Sequence, residues 1–530
     1  MPTTTPQTEK ILVAGAWTAS AAVRSFQSSN PATGEQLPQQ YPVSSWDDCE
    51  TLLDAAAEAA EHLQRSTPAE IAGFLEAFAD LIDANNEELA AAASLETALP
   101  VAPRLAAVEI PRTSNQLRQA ATAARNGSWA QATIDTKANI RSCYEPIGPV
   151  CVFGPNNFPF AFNSAAGGDF AAAIAAGNPV IAKANTSHPG ITKKLAELAL
   201  QAVLASGLHP ATVQMIYRLS HADGARLVAD HRVAAIGYTG SRKAGLTLKA
   251  AADQAGKPIY LELSSVNPVV LMPGVLAERG ADLVSEFTTS VLMGTGQFCT
   301  NPGLLILQAG TATEEFLEGT RQKFVDAQPG TLLSSGVKEA LVNAVQTLTN
   351  AGATLLCGGR PVENQCSVSN SLLRVSAKDF LRDPEIFQTE AFGNASLAVV
   401  ADSVEEIGKV VDALEGNLTG CIYSSSDATD AASYQLVAPK LARRVGRLLN
   451  DKMPTGVAVS PAMNHGGPFP ATGHPGFTAV GIPASLFRFA KLTCYDAVRE
   501  DRLPALLRDK NPTGKTWRSI DLNWTVADVS

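Results

Sequence analysis

From Gly148 to Glu262 short apolar runs alternate with helical stretches, and this alternation restricts the fold more than any other feature of the chain. Val150 to Phe153, Pro179 to Lys183, Val213 to Tyr217, Val233 to Tyr238 and Pro258 to Glu262 read as strands. Helices are expected between them over Phe162 to Ala176, Ile191 to Ser206, Ala222 to Ala229 and Arg242 to Ala255. A strand that is apolar at almost every position has to bury both faces. A parallel sheet covered by helices on both sides does that. Ligands of such sheets bind beyond the carboxyl ends of the strands. Asn157, Lys183, Gly240 and Glu262 end or follow those strands and are the first positions to examine for chemistry.

The rest of the chain extends this pattern. An Ala-rich helical region runs from Asp47 to Arg125, with Ile71, Phe74, Leu75 and Phe78 at helical spacing and a break at Asn85 and Asn86. A second α/β region covers Val269 to Ser485, with strands at Leu304 to Leu307, Ser396 to Val400 and Gly420 to Tyr423 and a helix over Val404 to Leu414. Gly127 to Glu145 alternates polar and apolar residues like an exposed hairpin. Near the carboxyl end Ile520, Leu522 and Trp524 alternate in the same way, with Trp517 shortly before. Such alternation at a terminus predicts docking onto another subunit.

Composition excludes several classes. Acidic residues outnumber basic ones by 51 to 41, a net charge of −10, which argues against nucleic acid or an anionic membrane as the main partner. Hydrophobic residues make up 45% and charged residues 17%, far from the balance of a disordered chain. Met1 to Lys10 lacks the features of a signal peptide, and the most apolar stretch, Phe158 to Ala182, is interrupted by Asn163, Asp169 and Asn178. Eight scattered cysteines without a CxxC pair read as reduced thiols, so a cytoplasmic protein is expected. The seven histidines show no ligand spacing, so no metal site is expected.

Four local patterns carry chemistry. Tyr238 to Gly245 is a strand–glycine–helix turn in which Gly240, the free N–H groups of the helix start and the Ser241 hydroxyl can hold a phosphate; alone, such a turn is more often structural. Gly294 to Gly303 places Cys299 in a glycine-rich loop outside any periodic element, where a nearby helix start can lower a thiol pKa, unlike the filler positions of the other cysteines. Glu262 ends a buried strand, as either an ion-pair partner or a general base. Pro155 to Pro159 presents Asn157, as a turn cap or an oxyanion donor.

Taken together and in order, these segments resemble the NAD(P)-dependent aldehyde dehydrogenase superfamily from about Trp46 to Tyr495. The family's Pro-x-Asn-Phe-Pro loop matches Pro155 to Pro159, and its Lys-containing cofactor turn matches Lys183 to Thr186. Its Thr-Gly-Ser-x-x-x-Gly turn matches Thr239 to Gly245, and its Glu-Leu strand end matches Glu262 and Leu263. Its Gly-Gln-x-Cys-Thr loop matches Gly296 to Thr300, and its Glu-x-Phe-Gly segment matches Glu390 to Gly393. Phe158 to Asp169 is most similar to the branch containing α-ketoglutarate semialdehyde dehydrogenases. Departures are Ser264 and Ser265 in place of two glycines, Asn394 in place of a proline, and Thr186 in place of a carboxylate.

The resemblance implies an α/β fold with a Rossmann-like parallel-sheet cofactor domain over 1–125 and 149–268. It also implies an oligomerisation hairpin over 126–148, a second α/β catalytic domain over 269–485 and a bridging β tail over 486–530. It assigns Cys299 as a thiolate nucleophile forming a thiohemiacetal and then a thioester, Glu262 as the base for hydrolysis, and Asn157 as an oxyanion donor. Lys183 and Glu390 are expected on cofactor ribose hydroxyls, Gly240 and Ser241 on the pyrophosphate, and Phe392 beside the nicotinamide. Phe158 and Phe162 either line the aldehyde tunnel or pack its loop together with Phe160. Thr186 does not repel a 2′-phosphate and Lys183 attracts one, so NADP is the expected cofactor, with NAD accepted. A small semialdehyde such as α-ketoglutarate semialdehyde is the expected substrate, and a homodimer or homotetramer the expected assembly. Alternatives are a general aliphatic or aromatic aldehyde dehydrogenase, acyl transfer to coenzyme A, a catalytically silent nucleotide-binding oligomer, and a cysteine hydrolase pairing Cys299 with His465 or His474.

Overall fold

The computed structural model describes residues 8–530. Five of the expected strands form the parallel part of a seven-stranded sheet. Its order is Ile259–Glu262, Ala235–Thr239, Val150–Phe153, Val180–Lys183, Val213–Ile216, Ile11–Val13, Ala16–Thr18. The last two strands run antiparallel at the edge and were not foreseen. Register aligns Phe153 with Lys183, Lys183 with Ile216, and Thr239 with Glu262. The carboxyl ends therefore share one rim.

The Ala-rich region divides into helices where the capping chemistry dictates. Trp46–Leu63 starts in a capping box between Ser45 and Asp48, and Pro68–Ala84 in one between Thr67 and Glu70. Phe74, Leu75 and Phe78 are fully buried against the sheet side of the core. Each contributes roughly 1.5–3 kcal/mol relative to exposure. Asn85 caps one helix and precedes the next, which explains the break read there.

One expected helix is shorter than foreseen. Phe162 to Ala176 was read as a single helix, but the helix spans Gly168–Ala175. Asn163 takes up the preceding segment, accepting from the Ala165 N–H at 2.9 Å and donating to the Pro159 carbonyl at 2.8 Å. A side chain at Gly167 would lie 2.5 Å from the Phe162 backbone, so the turn closes only on glycine. Phe162 is thereby released from the helix toward the site.

The second seven-stranded sheet has the order Thr354–Cys357, Ser371–Ser376, Ala395–Ala401, Leu304–Gln308, Val269–Leu271, Asn417–Tyr423, Val445–Asn450. Only its first strand is antiparallel. It has its own core, separate from that of the first sheet. A five-stranded sheet joins Ala490–Asp496, Ile140–Pro146, Thr133–Asp135, Arg518–Ile520 and Asn523–Thr525. Among the described residues no helix is long and apolar enough to cross a membrane.

Candidate active site

Three segments distant in sequence converge where the two large sheets meet. Glu262 arrives as the last residue of its strand. Cys299 comes from the loop after the helix Pro273–Leu292. His465 comes from the irregular segment that follows the last strand of the second sheet, which Leu263 and Thr472 stitch to the Glu262 strand end. The ligand atoms of these three side chains all lie within 4.8 Å of one another. His465 Nε2 is 2.7 Å from Glu262 Oε1 and 3.5 Å from Cys299 Sγ. Glu262 and His465 are both buried, and among the described residues Oε2 of Glu262 has no hydrogen-bond partner.

The fold brings together side chains that the sequence places far apart. Sequence spacing gave His465 no neighbours, yet the fold makes Cys299, Glu262 and His465 a set of potential metal ligands; they are already engaged with one another. Burial pushes the Cys299 thiol pKa well up, and the Glu262 carboxylate pushes it further. Arg112 acts in the opposite sense.

The loop carrying Cys299 is held tightly. Gly294, Thr295 and Gly296 take left-handed φ values of 56°, 59° and 68°. A Cβ at Gly296 would meet the Gly393 carbonyl oxygen at 2.0 Å. Asn267 donates to the Cys299 and Asn301 carbonyls, each at 2.9 Å. Asn157 Nδ2 donates to the Gln297 carbonyl at 3.0 Å, so its amide stands two residues from the thiol. Among the described residues the Cys299 N–H has no hydrogen-bond partner.

The three phenylalanines separate by role. Phe160 belongs to the core of the first sheet. Phe158 and Phe162 instead form a small apolar cluster with Phe298 and Val480, ringed by Val457, Val459 and Met463. Phe158 meets Phe162 and Phe298 edge-on, both at 5.4 Å between ring centres.

On the other side, a cleft is lined by Ser265, Gly296, Phe298, Glu390 and Phe392. Burial drives the Glu390 carboxyl up to about 7, against hydrogen bonds from Ser264 and the Ser265 N–H. The two serines that depart from the family pattern are thus partners of Glu390. Further along the rim, Ser241 precedes the helix Arg242–Gln254 without a side-chain cap, leaving its first N–H groups available. The helix Pro189–Ala205 offers no such site, because buried Glu96 accepts from the Gly190 and Ile191 N–H groups, both at 2.9 Å. Lys183 stands half-buried, with desolvation pulling its pKa down to about 8 and Arg218 adding to that effect. Thr186 lies on the same turn.

Arg218 and Arg112 escaped the sequence reading, and His465 entered it only as a partner of Cys299 in the hydrolase alternative. Arg218 had a usable signal, since it follows the strand Val213–Ile216 at the carboxyl rim. So had Arg112, which shares a helix face with buried Gln116. His465 had none.

A sequence profile of the aldehyde dehydrogenase family matches residues 17–460. The chain is 37% identical to alpha-ketoglutaric semialdehyde dehydrogenase 2 of Azospirillum brasilense over 94% of this chain and 97% of that one. It is 33% identical to alpha-ketoglutaric semialdehyde dehydrogenase of Acinetobacter baylyi, covering 92% and 93%. An NAD+ complex of aldehyde dehydrogenase from Bacillus cereus superposes with a TM-score of 0.78 at 20% identity, over 92% of this chain and 96% of that one. The family match and these relatives make the chain a nicotinamide-dinucleotide-dependent oxidoreductase acting on aldehydes. The chain belongs to the aldehyde dehydrogenase family.

Proposed function

We propose that the chain oxidises α-ketoglutarate semialdehyde to α-ketoglutarate, with NADP preferred over NAD. The observation that carries the chemistry is the cluster of Cys299, Glu262 and His465 beside Asn157 and the Glu390 cleft. The names of the two relatives above support the substrate. Thr186, uncharged where a carboxylate would repel a 2′-phosphate, and the paired charges of Lys183 and Arg218 support the cofactor.

The residues present fit a dinucleotide. The uncapped helix start at Ser241 and Gly240 would meet the pyrophosphate, and Glu390 and Lys183 would meet ribose hydroxyls. Phe392 would face the nicotinamide. When bound, the nicotinamide supplies the acceptor for the hydride of the substrate carbon.

The chain's own groups do the rest. Cys299 Sγ bonds to the aldehyde carbon as Glu262 takes the thiol proton. The Asn157 amide and the free Cys299 N–H hold the developing oxyanion, each contributing about 3 kcal/mol. After oxidation the acyl group remains on Cys299 as a thioester; Glu262, having passed the thiol proton to solvent, draws a proton from the attacking water and returns it to the departing Cys299 sulfur. His465 acts as a positioning residue. Its Nε2 faces both Glu262 and Cys299, and a nitrogen that donates to the carboxylate has no lone pair left for the thiol. That geometry also argues against the cysteine hydrolase alternative, in which the nucleophile and the acid are met by two different ring nitrogens. His474 is engaged with the Ile259 carbonyl instead.

Initial rates with α-ketoglutarate semialdehyde, pentanal and benzaldehyde, each with NADP and NAD, test the assignment. The highest kcat/KM is expected for the semialdehyde with NADP. A clear preference for the unsubstituted aldehydes contradicts the substrate, and a much higher efficiency with NAD contradicts the cofactor.

A further inference from the structure

Three arginines surround the apolar cluster beside Cys299, and they differ in what they hold. Arg104 bonds to Glu109 and to the Asn157 carbonyl. Arg447 spends both terminal nitrogens on the Gly456 and Pro454 carbonyls. Among the described residues Arg112 holds nothing: its Nε and Nη2 are buried without a hydrogen-bond partner. Glu109, the nearest candidate to pair with it, is already occupied. One of its oxygens accepts from the Phe160 and Ala161 N–H groups and the other from Arg104. Buried donors left unmet are costly, and more so on a cation.

The position of Arg112 shows what these nitrogens lie beside. Its Cζ lies 5.4 Å from the Phe162 ring centre and 5.8 Å from that of Phe158. Phe162 is 5.8 Å from the His465 ring, and Phe158 is 5.4 Å from Phe298, the neighbour of Cys299. The guanidinium therefore stands one aromatic layer from the thiol. Nε and Nη2 are the two nitrogens whose N–H bonds run side by side, the edge that meets a carboxylate in a fork. From aldehyde carbon to carboxylate carbon, an extended five-carbon semialdehyde spans about 5 Å. Its methylenes would pass the faces of Phe158 and Phe162.

We propose that Arg112 binds the distal carboxylate of the substrate through Nε and Nη2 and so selects aldehydes bearing a terminal carboxylate. This rests on the semialdehyde assignment above and names the residue that enforces it. The test is the ratio of kcat/KM for α-ketoglutarate semialdehyde to that for pentanal, in the unaltered enzyme, Arg112→Met and Arg112→Lys. The ratio is expected to fall about 30-fold in Arg112→Met, the range for losing hydrogen bonds to a charged group, mostly through KM. Arg112→Lys should recover part of it. An unchanged ratio in Arg112→Met, or an equal loss on both aldehydes, overturns the role of Arg112 while leaving the substrate assignment standing. An unaltered enzyme without preference for the semialdehyde overturns both. Should neither variant fold, protection of Cys299 from iodoacetamide in the unaltered enzyme decides. Glutarate should protect at about ten-fold lower concentration than the uncharged pentanamide, a difference of ~1.4 kcal/mol; equal protection overturns the proposal.

Discussion

At the scale of single residues, the state of Cys299 governs the chemistry. Burial and the Glu262 charge push its thiol pKa up. Raising a thiol pKa lowers the thiolate fraction at neutral pH, so alkylation by iodoacetamide should rise with pH through a midpoint above the ordinary value of about 8.5. Glu262→Gln removes a negative charge and should bring the midpoint down. A midpoint below neutrality in the unaltered enzyme contradicts this account. Thr186→Asp should lower kcat/KM for NADP and raise it for NAD, read from initial rates; an unaltered ratio removes Thr186 from cofactor selection. Cys299, Glu262 and Asn157 were legible in the sequence because a strand end or a glycine-rich loop announces each. His465 was not, because 451–483 carries no periodicity and its fit beside Glu262 exists only in three dimensions. The upward shift of the thiol pKa was also hidden, since it depends on neighbours that sequence does not place.

At the scale of elements, the site depends on two close fits. Gly296 combines a φ of 68° with contact to Gly393. Gly296→Ala should cost about 1–3 kcal/mol of strain and displace the Cys299 loop, read as a lower urea midpoint together with lost turnover. A variant with both unchanged contradicts the fit. The second is the ion pair of Asp169, in the helix Gly168–Ala175, with Arg488 at 2.7 Å, both buried. It ties the first sheet to the segment that leads into the five-stranded sheet. Leaving Arg488 unpaired by Asp169→Asn should cost about 3–5 kcal/mol in urea unfolding. A change under 1 kcal/mol means that the pair is locally compensated. Strand positions in the first sheet were readable from apolar runs. The start of the helix at Gly168 was not, because the Asn163 turn that shortens it competes locally with an apolar sequence that favours continuation.

At the scale of the molecule, the two large sheets each bring part of one site, and the five-stranded sheet stands apart from it. That sheet and its tail leave Leu492, Trp517, Leu522 and Trp524 exposed, Leu522 by 93%. We expect it to pair subunits, and Leu522→Asp combined with Trp524→Glu should lower the mass measured by light scattering. A monomer before substitution contradicts that expectation. The alternation of Ile520, Leu522 and Trp524 made this surface visible in the sequence; the number of subunits was not encoded in it. The central claim is that Cys299 carries the acyl group and Glu262 releases it. Its most direct test is rapid mixing of Glu262→Gln with α-ketoglutarate semialdehyde and NADP, followed by intact-mass measurement. The expected result is at most one equivalent of reduced cofactor per site, no sustained turnover, and an acyl group retained on Cys299. Sustained turnover at the unaltered rate, or reduced cofactor without any acyl group on Cys299, would contradict the account.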